Sequence, residues 1–289
     1  MTTQETERQR AEKSLQDGIE AYNDGKFDIA AEACTDAEIR FRFLGDVKHA
    51  GDSCSLLADA QRQNNQLKQA VISYQRAVKL YQEASTPLSE ASSVLSLGHV
   101  ERQQAHLDKA QTAYLQAQNI CRTQQNTQGL GYVALALGHI ALQQGHIADA
   151  TEQYQEALHH FHAANDVINE AAASRSLGNV QSLAQHFAEA EASYKHGLEV
   201  YRTHSDHFGT IDTLTGLGRM YLEEEQFEQA TTIFTEAFNL TLAIEYALGQ
   251  ADAQLGLAEV SLLQSRIDQA LTAATSAYQQ YADEHNAPG

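Results

Sequence analysis

Thirteen histidines and three cysteines give this 289-residue chain its main capacity for chemistry, as proton carriers, metal ligands or nucleophiles. His106, His146 and His186 recur every 40 residues, and so do His99 and His139. Helices that pack side by side stand about 10 Å apart, so residues one repeat apart cannot converge on a single zinc ion. The run His159, His160, His162 has no cysteine or carboxylate partner at a ligand spacing. Cys34, Cys54 and Cys121 are odd in number and unrelated in spacing, which argues against a disulfide framework. They stand where apolar residues are expected; Cys121 takes the place held elsewhere by Tyr81, Phe161 or Tyr201. There is no GxSxG elbow, phosphate loop, HExxH or CxxC, and Gly129-Leu130-Gly131 follows no strand. The chain is therefore expected to have no catalytic residues, no metal, no cofactor and no enzymatic activity.

The elements that carry these residues repeat. Alanine stands at 30, 70, 110, 150, 190, 230 and 270, a constant period with no insertion. Four residues later comes Tyr74, Tyr114, Tyr154, Tyr194 or Phe234, and seven later a small residue such as Ala77 or Gly197. Spacings of four and three lie along one helical face. Twelve residues before the alanine is Gly18, Gly98, Gly138, Gly178 or Gly218, replaced by Ala58 and Ala258 in two copies. Glycine inside a helix costs about 0.5–1 kcal/mol relative to alanine, so its recurrence implies close packing between two helices of one unit. Turns within the units are predicted near Gly25, Asn65, Ala105, Gly145, Gln185, Glu225 and Ser265.

This pattern, carried by Leu97-Gly98, Ala110, Tyr114, Ala117 and their counterparts, resembles the tetratricopeptide repeat family. The 40-residue unit is similar to the longer-helix variety of kinesin light chains and Pins-type adaptors. Two features depart from the family pattern: small or aliphatic residues (Cys54, Val94, Ala134, Leu214) replace an early aromatic, and Pro87 alone marks a repeat end. The resemblance implies an all-α, right-handed superhelical solenoid of seven helix-turn-helix repeats over residues 7–284, with flexible termini at 1–6 and 285–289. In that family the first helix of each unit lines a concave groove. Carried over by position, the groove residues here are Arg62, His99, Arg102, Tyr132, His139, Arg175, Asn179 and Arg219, while Arg76 and Arg122 fall on the other helices.

Composition bounds the partner. A formal charge of −19, from 38 acidic and 19 basic residues, disfavours nucleic acid and anionic membranes. The most apolar stretch, near Gly129 to Leu142, is broken by His139, and the N-terminus has no apolar signal core, so no membrane insertion and a cytoplasmic location are expected. Four groove arginines in so acidic a chain suggest a peptide or protein partner that is acidic and partly apolar; alternatively, each arginine pairs with an acid on a neighbouring helix. The expected function is a protein-binding scaffold or adaptor, with a peptide-sensing regulator or a self-assembling scaffold, joined through its terminal repeats, as alternatives. The sensor reading lacks a helix-turn-helix or added helical bundle ahead of the repeats, and apolar Tyr278 and Tyr281 in the last helix motivate the self-assembly reading.

Overall fold

A 20-residue cycle, half of the sequence period, sets every helix end. The computed structural model describes residues 3–286 as α1 (Thr3–Asn23), α2 (Phe27–Phe43), α3 (Val47–Gln63), α4 (Leu67–Glu83), α5 (Pro87–Gln103), α6 (Leu107–Thr123), α7 (Thr127–Gln143), α8 (Ile147–Ala163), α9 (Val167–Leu183), α10 (Phe187–Thr203), α11 (His207–Glu223), α12 (Phe227–Ala243), α13 (Ala247–Leu263) and α14 (Ile267–Asn286). There is no strand among the described residues. Helix α1 begins at Thr3, and α14 runs to Asn286, inside the segments expected to be flexible tails; residues 1–2 and 287–289 lie outside the described residues. The chain divides into two compact units, residues 1–140 and 141–289.

Each three-residue turn is the same device. Its middle residue has φ between 53° and 78°, at Gly25, Gly45, Asn65 and every twentieth position to Ser265. The residue after it returns its N–H to a carbonyl five positions back, as from Lys26 to Ala21 at 2.8 Å and from Gln66 to Gln61 at 2.8 Å. This closes the preceding helix by satisfying its last carbonyls. Only Gly25, Gly45 and Gly145 are glycine at these thirteen places. Four of the odd-numbered helices also gain an N-terminal cap: Asp46, Asn126, Asp166 and Asp206 accept the N–H of His49, Gly129, Asn169 and Gly209.

Packing explains the repeated residue types. Ala30, Ala70, Ala110, Ala150, Ala190 and Ala230 are fully buried, as are Tyr74, Tyr114, Tyr154 and Phe234. The recurring glycine is a seat for the aromatic ring rather than a point where two backbones touch. A Cβ added at Gly178 would stand 3.0 Å from Tyr194 Cδ1, and one at Gly218 would stand 2.8 Å from Phe234 Cε1. In the first unit Val94, Tyr114, Val133 and Ile140 share one core; in the second, Tyr194, Leu214, Leu217, Met220 and Phe234 do. Odd-numbered helices also touch one another, α1 with α3 in the first unit and α9 with α11 and α11 with α13 in the second. No two successive even-numbered helices approach to that extent among the described residues, so the odd helices form the inner layer of each unit.

Candidate functional site

The tyrosine that fills the glycine seat also reaches past it. Its hydroxyl meets the residue after the glycine position: Tyr74 donates to Asp59 Oδ1 at 2.5 Å, and Tyr194 donates to Asn179 Oδ1 at 2.7 Å. Tyr114 meets His99 Nδ1 at 2.9 Å. These inner-layer positions therefore anchor the packing ring, and of the three only Asn179 is exposed.

In the first unit the structure brings four of the sequence-predicted residues together. His99 on α5 is pushed down to about 4, first by burial and then by the charges of Arg102, His139 and Arg62. Near neutral pH it is an uncharged acceptor for Tyr114, so the positive charge here belongs to the arginines. Arg62 lies 3.8 Å from Asp59, a loose contact with both groups partly solvated. Arg102 has no carboxylate within 4.0 Å among the described residues, and its Nε is buried without a hydrogen-bond partner. Tyr132 sits apart from this cluster, nearer the start of α7, where it lines a cavity of about 160 Å³ with Ala91, Ser92, Leu95, Cys121 and Gly129.

The second unit repeats the arrangement with different charges. Burial raises the Tyr194 hydroxyl, and Arg175 and Arg219 oppose that rise, which places both guanidinium groups near the Tyr194–Asn179 pair. Arg175 Nη1 binds Asp212 Oδ2 at 2.6 Å across α9 and α11, so this arginine follows the pairing alternative. Arg219 and Asn179 are exposed, and Arg219 has no carboxylate within 4.0 Å among the described residues. The even layer holds a different cluster that spacing did not reveal. Glu38, 1% exposed, receives Arg76 and lies 3.7 Å from Arg42. Its only sequence signal is an acid where Val78 and Leu198 stand in other repeats.

Among the described residues no three histidine, cysteine or acidic side chains converge as a metal site, and no helix is long and apolar enough to cross a membrane. Two family models, each described as tetratricopeptide repeat, match residues 51–83 and 169–243. No curated protein matches the sequence. Solved structures share the fold at low identity. The apo form of RapI is 12% identical, with 95% of this chain and 98% of that chain covered at a TM-score of 0.76. The apo quorum sensor NprR from B. thuringiensis is 13% identical, with 95% and 77% covered at 0.79. The Rap conjugation gene regulator of plasmid pLS20, solved with the Phr* peptide, is 16% identical, with 93% and 73% covered at 0.63. The repeated helix pairs, their packing residues and these matches agree that the chain carries tetratricopeptide repeats.

Proposed function

We propose that the inner, odd-helix layer binds a linear peptide bearing carboxylates and apolar residues, and that the protein acts as a non-enzymatic adaptor or peptide sensor. One observation carries this reading. In a chain of charge −19, Arg102 and Arg219 stand on the inner layer without a carboxylate partner, although acids are abundant. An unpaired guanidinium on a partly desolvated surface favours a ligand carboxylate in bidentate geometry. The likeness to a Rap regulator solved with the Phr* peptide, and to the quorum sensor NprR, supports a peptide as the ligand class. Three cysteines without disulfide partners suit a reducing, cytoplasmic setting.

The test is fluorescence anisotropy against a set of labelled peptides mixing Asp or Glu with apolar residues. Arg102→Glu is expected to weaken the bound peptides about tenfold or more, since a half-buried charged contact contributes about 2 kcal/mol or more, and Arg219→Glu, at an exposed position, by a smaller factor of roughly two to five. Arg122→Glu, on α6, serves as the control. Undiminished binding by both inner variants defeats the proposal. A second reading, association of copies through α14, is favoured by the exposure of Ile267, Leu271 and Tyr278 on that helix.

A further inference from the structure

Position 121 lacks the ring that Phe41, Tyr81, Phe161, Tyr201 and Tyr281 supply at the same place in other repeats; Thr241 lacks it too, but there the Tyr246 ring lies against Gly249 instead. Phe41 stacks on His49, eight residues later, with ring centroids 5.2 Å apart. The Tyr81 ring lies against Gly51, thirty residues earlier, where an added Cβ would stand 2.9 Å from Cε1. In the second unit the Tyr201 ring covers Gly209, again eight residues later. The hydroxyl has a berth as well: Tyr81 donates to Asp52 at 2.8 Å and Tyr281 to Asp252 at 2.5 Å, both 29 residues earlier. Applied to Cys121, these offsets select Ala91, Gly129 and Ser92. All three line the 160 Å³ cavity, together with the Cys121 side chain itself. The space is therefore the volume of the absent phenol, open at one side and edged by a serine hydroxyl where Asp52 stands in the preceding repeat.

We propose that this cavity is a socket for an aromatic side chain, tyrosine by preference, supplied by a bound peptide. Its size matches the roughly 150 Å³ that accepts a benzene molecule in a protein interior. The assignment of the ring to an acidic peptide rests on the function proposed above. Ser92, Leu95, His99 and Arg102 follow one another on one face of α5. At about 1.5 Å per residue, Leu95 lies roughly 10 Å from Arg102 along the axis, which an extended peptide spans in about three residues. The expected ligand thus carries an aromatic residue and, three positions away, a carboxylate for Arg102.

The socket is tested alone with p-cresol, the tyrosine side-chain analogue, titrated into isotope-labelled full-length protein and followed by amide chemical shifts. Wild type and Cys121→Ser are expected to show saturable shifts at residues of α5 and α7 in the millimolar range. Cys121→Tyr, which supplies the ring found at Tyr81 and Tyr201, is expected to lose at least tenfold in that affinity while gaining a higher urea midpoint. Cys121→Phe replaces it should the tyrosine variant lose helicity. Equal p-cresol shifts in the ring-bearing variant, or none in wild type, overturn the socket. The peptide acetyl-Tyr-Ala-Ala-Asp-amide then separates the two ideas. Arg102→Glu is expected to weaken this peptide without altering the p-cresol shifts; if it leaves the peptide unaffected, the carboxylate reading fails while the socket stands.

Discussion

At the scale of single residues, the same tyrosine hydroxyl is satisfied by aspartate, histidine or asparagine, and the first two make that choice depend on pH in opposite senses, since burial raises the Asp59 carboxyl and lowers the His99 ring. His99 sits at about 4 in the folded chain against an ordinary value of 6.5, so on acidification the unfolded chain takes up the proton first. Stability contributed by the neutral ring is full above pH 6.5 and declines as pH falls toward 4, by about 2–3 kcal/mol at most. His99→Asn copies the partner of Tyr194 at Asn179, so it should keep the hydroxyl bond and flatten the change in urea midpoint between pH 6.5 and 4 relative to wild type. An unchanged slope would show that the ring does not carry it. Arg76 illustrates the opposite lesson. On its position it looks like a harmless charge in the even layer, yet it serves the buried carboxylate of Glu38. Arg76→Ala is expected to lower stability by about 2 kcal/mol, with Arg42 limiting the loss, as measured by urea unfolding. A surface-like change within 0.5 kcal/mol would contradict the burial of that pair.

At the scale of helices, the glycine, alanine and aromatic register was legible because packing forces a residue type wherever two surfaces meet closely. Gly178→Leu should therefore cost about 1–3 kcal/mol or more, since the Tyr194 ring already occupies the space; an unchanged urea midpoint would refute the seat. The turns were half legible. All seven expected within the units have positive φ, but the six between units share the geometry and only Gly45 and Pro87 mark them in the sequence. The physical reason is that a left-handed cap costs only about 1–2 kcal/mol in a non-glycine residue, so cooperative packing on both sides holds Ser85, Gln125 and Glu245 in place without glycine. Ala105→Gly and Gln125→Gly should recover part of that cost, raising stability by about 0.5–1 kcal/mol each, whereas Asn165→Gly should change little because asparagine tolerates this region. Thermal unfolding of the three variants checks the ordering. The candidate site was legible as a set of positions but not as a set of charges. Spacing placed Arg102 and Arg175 in equivalent helices, and only coordinates separate the unpaired guanidinium from the one bound to Asp212. Nor did spacing show that Cys121 leaves a cavity, although the missing ring was visible in the sequence.

At the scale of the whole molecule, net charge and apolar exposure act against each other, and this separates the two proposed kinds of partner. Tyr278 is 74% exposed on α14, whereas Leu198, at the same place in an earlier repeat, is buried. Tyr281 belongs to a different role, since its hydroxyl is already committed to Asp252 at 2.5 Å, so altering it would disturb the fold rather than report on association. Tyr278→Glu is therefore the informative change. If copies associate through α14, light scattering should give a molar mass above one chain for wild type and a single-chain mass for the variant. Two chains of charge −19 repel, and added salt screens that repulsion while leaving apolar burial in place, so association should strengthen from about 50 to 500 mM salt. Binding of an acidic peptide at Arg102 or Arg219 should do the reverse, because there salt screens an attraction. A wild-type chain that stays monomeric at high concentration and high salt removes the α14 contact. Peptide affinity that is indifferent to salt removes the arginines as its source, and these two outcomes are independent of each other.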